Sequence, residues 1–421
     1  MVYFLSLFSL ILLPLQFAIP VAGGWDIPVA RLLAVLIVVI FLITKFSQRC
    51  WFLPPPIFFG AVTSFLGVSV ASLLWAAQPA LAFPKIFFLL NLFPLLLVWF
   101  DQFSQTRGQA EKLTRGLVFS AVTAALVGIG IFLSQFLFGV SEVFHFVVDR
   151  MLPFFLGQEL GGLVARYPSL LVNIDGQTLL RATAFFPDPH VAAFFFGMSG
   201  FLALGLARKE RKSVYVFAAA MLFLADILSF SRGGYVGLIA GSLAYIFFTQ
   251  PNLLAKHTRP FIGWTLLIVL ILGTIGQSVF SRFATSFSFE DTSSTERLIL
   301  WQEALSASTE HPLIGVGIGN YLSSARPLYQ AGTPFYAHNV YLDIAVELGL
   351  IGLLSFLLIF YIAFNQSFRT RRSNPFAPAI ASALVLYLAH SVFETALFSL
   401  HVTIVLVFIL ALAMSLEPQE A

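Results

Sequence analysis

Apolar runs of about 18–22 residues recur from Val2 to Leu416, each closed by a short polar or basic stretch. A helix of that length crosses a hydrocarbon core about 30 Å thick. The strands of a membrane barrel would be shorter and would alternate polar with apolar residues. Of the 421 residues 59% are hydrophobic and only 10% are charged, where a soluble protein carries about 25% charged residues. So few charges cannot cover a water-facing surface, and lipid has to be the main solvent. The expected fold class is all-α, a polytopic membrane protein of about 12 transmembrane helices forming one integral membrane domain, 1–421. The spans fall near 2–20, 28–46, 57–77, 84–102, 117–139, 189–207, 213–230, 232–249, 261–280, 340–364, 376–392 and 398–416. The stretch from Val2 lacks a basic flank and a small-residue cleavage site before Gly23-Gly24-Trp25-Asp26, so it reads as a retained span. The single cysteine, Cys50, excludes an intramolecular disulfide.

Orientation follows from Lys and Arg in the short loops. With a cytoplasmic N-terminus, every short basic cluster falls inside: Lys45 with Arg49, Arg107 to Arg115, Arg208 to Lys212, Lys256 with Arg259, and Arg369 to Arg372. Most of the other basic residues are dispersed through two long outer loops, 141–188 and 281–338. This arrangement requires a turn at Ser229-Phe230-Ser231-Arg232-Gly233-Gly234, because one continuous span would leave Arg232 in lipid. Both termini are then cytoplasmic, and any chemistry sits on the outer, non-cytoplasmic side of an inner membrane. Outer loops of this length commonly bind or react. A transporter or flippase is the alternative from another class, but its sites lie near the midplane on broken helices with internal repeats, and no repeat of fixed period is evident here.

In the second outer loop, Ser293-Ser294-Thr295-Glu296 reads as a capping box, opening an amphipathic helix over about 294–308 with Leu298, Trp301 and Leu305 as its apolar stripe. Arg297 stands in the first turn, where a cation opposes the helix dipole. It either binds an anion together with the free helix N–H groups or pairs with Glu296 or Asp291. His311-Pro312 ends this helix. Gly315-Val316-Gly317-Ile318-Gly319 lacks dinucleotide spacing and a βαβ context, so the glycines are expected to permit a tight turn or a close backbone approach. Tyr336-Ala337-His338-Asn339 leads into a span with Asn339 as N-cap. Asp343 and Glu347 follow on one face, at a depth where ionisable groups normally face a cavity. His338 at its mouth is either an interfacial residue or a general base. His390 and Glu394, four residues apart on the eleventh span, could form a metal pair or an interhelical hydrogen-bond pair.

His338-Asn339, nine residues, Gly349, two residues, Gly352 resembles the signature of the O-antigen ligase family. Ser231-Arg232-Gly233 resembles that family's Ser-Arg-Gly element. Arg297 with Trp301, Ala304-Leu305, His311-Pro312 and Gly315-Val316-Gly317 resembles its large outer loop, and Arg181-Ala182-Thr183 a further element. The family pattern continues there with Gly and a Pro-Asn pair, whereas this chain has Ala184 and Pro187-Asp188-Pro189-His190, so Asp188 and His190 read equally well as loop caps. The resemblance implies an architecture like that of GT-C glycosyltransferases and a glycosyltransferase activity. A glycan would move from undecaprenyl diphosphate to a lipid A–core hydroxyl on the periplasmic face, with inversion and without a metal or other cofactor. The implied partners are the lipid-linked donor, a lipid A–core or glycan acceptor and membrane lipid, with no nucleic acid. It implies diphosphate binding by Arg232, Arg297 and Arg181, and a general base at His338 oriented by Asp343 or Glu347, with Asn339 and Tyr336 in support. A polysaccharide polymerase would use the same chemistry on another acceptor.

Overall fold

The structure, a computed structural model, describes residues 1–21, 25–106, 108–166, 169–174, 176–249, 292–324 and 336–416. The expected span 261–280, the loop residues 281–291 with Asp291, and the side chains of the Ser293–Glu296 capping box lie outside that description.

Among the described residues six helices are long and apolar enough to cross a membrane: Val29–Gln48, Pro56–Leu74, Pro79–Gln105, Gln109–Phe138, Pro189–Glu210 and Val340–Thr370. Shorter apolar helices cover Val2–Leu15, Ser213–Leu228, Ala377–His390 and Leu400–Met414, and Arg232–Thr249 forms a further helix. Among the described residues each expected span is occupied by one of these helices. The chain is an all-α, multi-pass membrane protein. Two small antiparallel hairpins accompany the helices, Ala18–Val21 with Trp25–Pro28 and Leu171–Ile174 with Gln177–Leu180.

Burial sorts the helices. Every residue of Leu400–Met414 is buried, as suits a helix that is apolar all round. Phe408 packs edge-on against Trp99 at 5.2 Å and against Phe103 at 5.6 Å. The Val29–Gln48 helix instead leaves Leu32, Leu36, Val39 and Ile43 exposed, a stripe that faces lipid.

Local chemistry sets the breaks. Pro94 has no N–H to continue a ladder and separates Pro79–Leu92 from Leu95–Gln105. Between Ser213–Leu228 and Arg232–Thr249 the chain turns through Phe230 at φ 53°. The Ser229 hydroxyl donates to the Asp226 carbonyl at 2.6 Å, and the Ser231 hydroxyl accepts the Gly234 N–H at 3.0 Å, capping the next helix. The turn expected at Arg232 is therefore present.

The segment after Phe138 holds the short helices Val140–His145, Leu152–Leu156 and Gln158–Arg166, a π-helical stretch Phe146–Met151, and the second hairpin. Gln135 ties that hairpin to the Gln109–Phe138 helix, accepting the Leu180 N–H at 2.7 Å and donating to the Leu180 carbonyl at 3.0 Å. This fixes the strand end that precedes Arg181.

Candidate functional site

The segment 311–320 is strapped onto a broken helix. Within Val340–Thr370, Gly349 has φ 64° and ψ −166°, a conformation essentially confined to glycine. The break frees carbonyls before it and N–H groups after it. The segment following His311 takes up both: Val316 and Gly317 N–H donate to the Val346 and Glu347 carbonyls at 2.9 Å each, and Leu350 and Ile351 N–H donate to the Pro312 and Leu313 carbonyls at 2.9 and 3.2 Å. The approach is so close that a Cβ on Gly349 would lie 2.3 Å from the Leu313 carbonyl carbon, and one on Gly315 would lie 2.4 Å from that of Glu347. The strap continues to the Pro56–Leu74 helix and the turn after it, with Ile318 N–H donating to Ser72 Oγ at 3.0 Å and Gln78 N–H to Asn320 Oδ1 at 2.8 Å. The alternate glycines thus serve close backbone approach, as expected.

The helix Thr292–Glu310 lies on the same broken helix. Its buried positions are Leu300, Ala304 and Ala307, with Trp301 partly covered, whereas Leu298 and Leu305 are exposed. The expected Leu298–Trp301–Leu305 stripe is corrected accordingly: the inward face is rotated to the small alanines, which let the helix seat closely. Trp301 Nε1–H donates to the Ala337 carbonyl at 2.9 Å.

That contact brings in His338, which sits at φ 50°. Asn339 accepts from the Tyr341 and Leu342 N–H groups at 3.0 and 3.2 Å, the expected N-cap. The His338 imidazole points its Nδ1 at Glu394, 3.0 and 3.2 Å from the two carboxylate oxygens. Glu394 lies in the turn between Ala377–His390 and Leu400–Met414, 56 residues from His338.

Three sequence expectations are corrected here. Neither Asp343 nor Glu347 hydrogen-bonds to the His338 ring. Asp343 accepts the Ala337 N–H at 3.0 Å and the Thr395 hydroxyl. Glu347 is held by Lys85 Nζ at 2.7 and 2.9 Å, and Lys85 in turn lies over the Tyr336 and Phe398 rings at 4.4 and 4.6 Å. Glu394 and His390 do not form the expected pair, because the helix ends at His390 and the chain leaves helical register before Glu394.

The hydrogen bond to Glu394 raises the His338 pKa above its ordinary value, against burial, which lowers it. Burial pushes the Glu394 carboxyl up, but the His338 hydrogen bond with the charges of His190, His338 and Arg297 outweighs it and leaves Glu394 well below the usual carboxylate range.

A second histidine enters from the start of the Pro189–Glu210 helix. Asp188 caps Pro189–Glu210 by accepting the His190 N–H at 2.7 Å, so the capping reading holds for Asp188 and for the His190 backbone. The His190 side chain does something else. Its Nδ1 lies 2.8 Å from the Ser231 hydroxyl and its Nε2 lies 3.9 Å from Glu394. His390 completes the group, 3.3 Å from Ser231 Oγ and stacked on Phe194 at 3.7 Å.

The arginines arrive from three elements. Arg181 donates through Nε to the Leu171 carbonyl at 3.3 Å and through Nη1 to the Phe230 carbonyl at 3.5 Å, at the turn that leads into Arg232. Arg232 opens its helix, half-buried. The charges of Arg181 and Arg297 both reach His190, and that of Arg297 also reaches His338 and Glu394. Of the expected residues, Arg297 acts electrostatically on His338 and on His190, Arg181 acts on His190, and Arg232 follows Ser231, which bonds His190. Tyr336 and Glu347 belong to the Lys85 cluster, and Asn339 acts as a cap. An imidazole with one nitrogen held by a carboxylate can accept a proton at the other, and guanidinium ions suit a polyanion such as a diphosphate.

Residues 216–357 match the family model described as O-antigen ligase. That segment, about a third of the chain, is similar to the O-antigen ligase family. The match takes in Ser231, Arg232, Arg297 and His338 and leaves Arg181, His190 and Glu394 outside it. The chain is also 24% identical over 195 residues to a putative polysaccharide ligase of Rickettsia felis (strain ATCC VR-1525 / URRWXCal2), covering 43% of this chain and 45% of that protein. It is 32% identical over 104 residues to the exopolysaccharide production protein ExoQ of Rhizobium meliloti (strain 1021), covering 23% of this chain and 21% of that protein. The aligned stretches thus span less than half the length of either curated relative. The matched segment supplies the imidazole and two of the arginines, while the carboxylate that holds the imidazole comes from a later turn.

Proposed function

We propose that this protein transfers a glycan from undecaprenyl diphosphate to a hydroxyl of lipid A–core, on the periplasmic face of a bacterial inner membrane, with both termini cytoplasmic. The observation that carries the reading is the His338 imidazole held by Glu394 beside Arg297. His338 Nε2 takes the proton of the acceptor hydroxyl while its Nδ1–H donates to Glu394. The acceptor oxygen bonds to the anomeric carbon, and the bond from that carbon to the diphosphate oxygen breaks, its electron pair leaving with the diphosphate. This single displacement inverts the anomeric centre. Arg297, Arg232 and Arg181 bind the diphosphate, and their attraction grows as its charge develops, which lowers the barrier and not merely the KM. Glu394 fixes the tautomer and stabilises the imidazolium.

The test is complementation of a ligase-deletion strain with wild type or His338→Ala, with immunoblots checking that both reach the membrane. Wild type restores glycan on lipid A–core, while His338→Ala leaves it on the carrier. Normal ligation by His338→Ala would end the general-base assignment. A second reading, polymerisation of carrier-linked units into a polysaccharide, draws on the similarity to the exopolysaccharide production protein. It predicts that wild type instead restores long chains on the carrier, without attachment to lipid A.

A further inference from the structure

His338 and Glu394 stand on segments that meet only in the folded protein, so something must set their separation. Asp343 contacts both segments. One of its oxygens accepts the N–H of Ala337, the residue before His338, at 3.0 Å. The other accepts the hydroxyl of Thr395, the residue after Glu394. The carboxylate is buried, 3% exposed. It makes no hydrogen bond to the His338 ring, and its partners are the peptide and side chain flanking the His–Glu pair. Trp301 holds the other end of the same residue through the Ala337 carbonyl at 2.9 Å. His338 needs such restraint, because φ 50° is an unfavourable conformation for a residue with a Cβ and persists only where its surroundings impose it.

We propose that Asp343 is a positioning residue that ties the His338 segment to the Glu394 segment, thereby setting the His338–Glu394 distance and the direction in which Nε2 faces the acceptor. The inference rests on the reading of His338 as the base. The charged groups facing His338 are Glu394, Arg297 and Asp343, and those facing Glu394 are His338, His190 and Arg297. Loosening the tie weakens the only carboxylate hydrogen bond on the ring among the described residues. The imidazole then titrates nearer its ordinary value, and the acid limb of the rate profile moves to lower pH.

The experiment uses the full-length purified protein and a polyprenyl-diphosphate-linked glycan donor. Asp343→Leu and Thr395→Val are each expected to lower kcat roughly 10- to 100-fold, the scale of a misplaced catalytic group, with donor KM little changed. The double variant should be no worse than the poorer single one, since both remove one tie. Both variants should move the acid limb to lower pH. Asp343→Asn, which can still accept from Ala337 and donate to Thr395, should return kcat close to wild type. A purely structural role would reduce the yield of folded protein without moving the acid limb, and that result would overturn the proposal, as would wild-type kcat in Asp343→Leu. Should Asp343→Leu not accumulate, Thr395→Val decides by the same readouts. His338→Ala is the separate check. Full activity there removes the base reading and this inference with it, whereas an inactive His338→Ala beside a fully active Asp343→Leu removes the inference alone.

Discussion

Gly349→Ala should destabilise the protein far more than its single methyl suggests. The backbone there, at φ 64° and ψ −166°, lies in a region that costs a side-chain-bearing residue about 1–3 kcal/mol. The added Cβ would lie 2.3 Å from the Leu313 carbonyl carbon and 2.4 Å from its oxygen, and these are backbone atoms that cannot rotate away. Forcing them apart adds about 1–3 kcal/mol and disturbs the four strap hydrogen bonds around the break. The total is about 2–6 kcal/mol, and we expect a fall in Tm of about 2–7 °C in detergent. Gly130→Ala is the control, because a Cβ at that helical position meets nothing within 4 Å and alanine is the better helix former. Thermal unfolding of the two purified variants, followed by tryptophan fluorescence, makes the comparison. A Gly349→Ala protein as stable as wild type would refute the argument that the signature glycine serves the strap.

Three further outcomes follow from the site. Glu394→Gln removes the carboxylate that raises the His338 pKa; the rate rises with pH as the imidazole deprotonates, so lowering that pKa shifts the acid limb to lower pH, and kcat falls about 10-fold or more in a transfer assay across pH. Arg297→Ala should lower kcat/KM for the lipid-linked donor about 100-fold, and Arg297→Lys should recover little of it, because an ammonium cannot match the planar two-pronged contact to phosphate. Lys85→Met strands Glu347, 4% exposed, without its partner, at a cost of about 3–5 kcal/mol; Lys85→Met with Glu347→Leu should regain most of the lost Tm.

What the sequence could reveal was local. Hydropathy located the helices because each span is a contiguous run. The polar Ser231-Arg232-Gly233-Gly234 turn and the Asn339 cap were legible because capping acts over two or three residues. The alternate glycines announced a close approach, though not that its partner would be the break at Gly349. The site itself is built from distant pieces: Lys85 meets Glu347 across 262 residues and Ser231 meets His190 across 41. No periodicity encodes such pairs. Asp343 and Glu347 share a helix face with each other and lie near His338 in sequence, which made them the natural candidates to hold it. Asp343 turns instead to the Ala337 N–H and the Thr395 hydroxyl, on either side of the His–Glu pair. The Thr292–Glu310 helix was misjudged in rotation because its buried face is made of alanines, which carry a weak hydrophobic signal compared with the exposed leucines beside them.

The most direct test of the central claim is single-turnover glycan transfer by purified wild type and His338→Ala in lipid nanodiscs, with a polyprenyl-diphosphate-linked donor and a lipid A–core acceptor. Both proteins should bind the donor with similar affinity, and His338→Ala should transfer glycan about 100- to 10,000-fold more slowly, the range of a lost general base. Transfer by His338→Ala at the wild-type rate would contradict that claim.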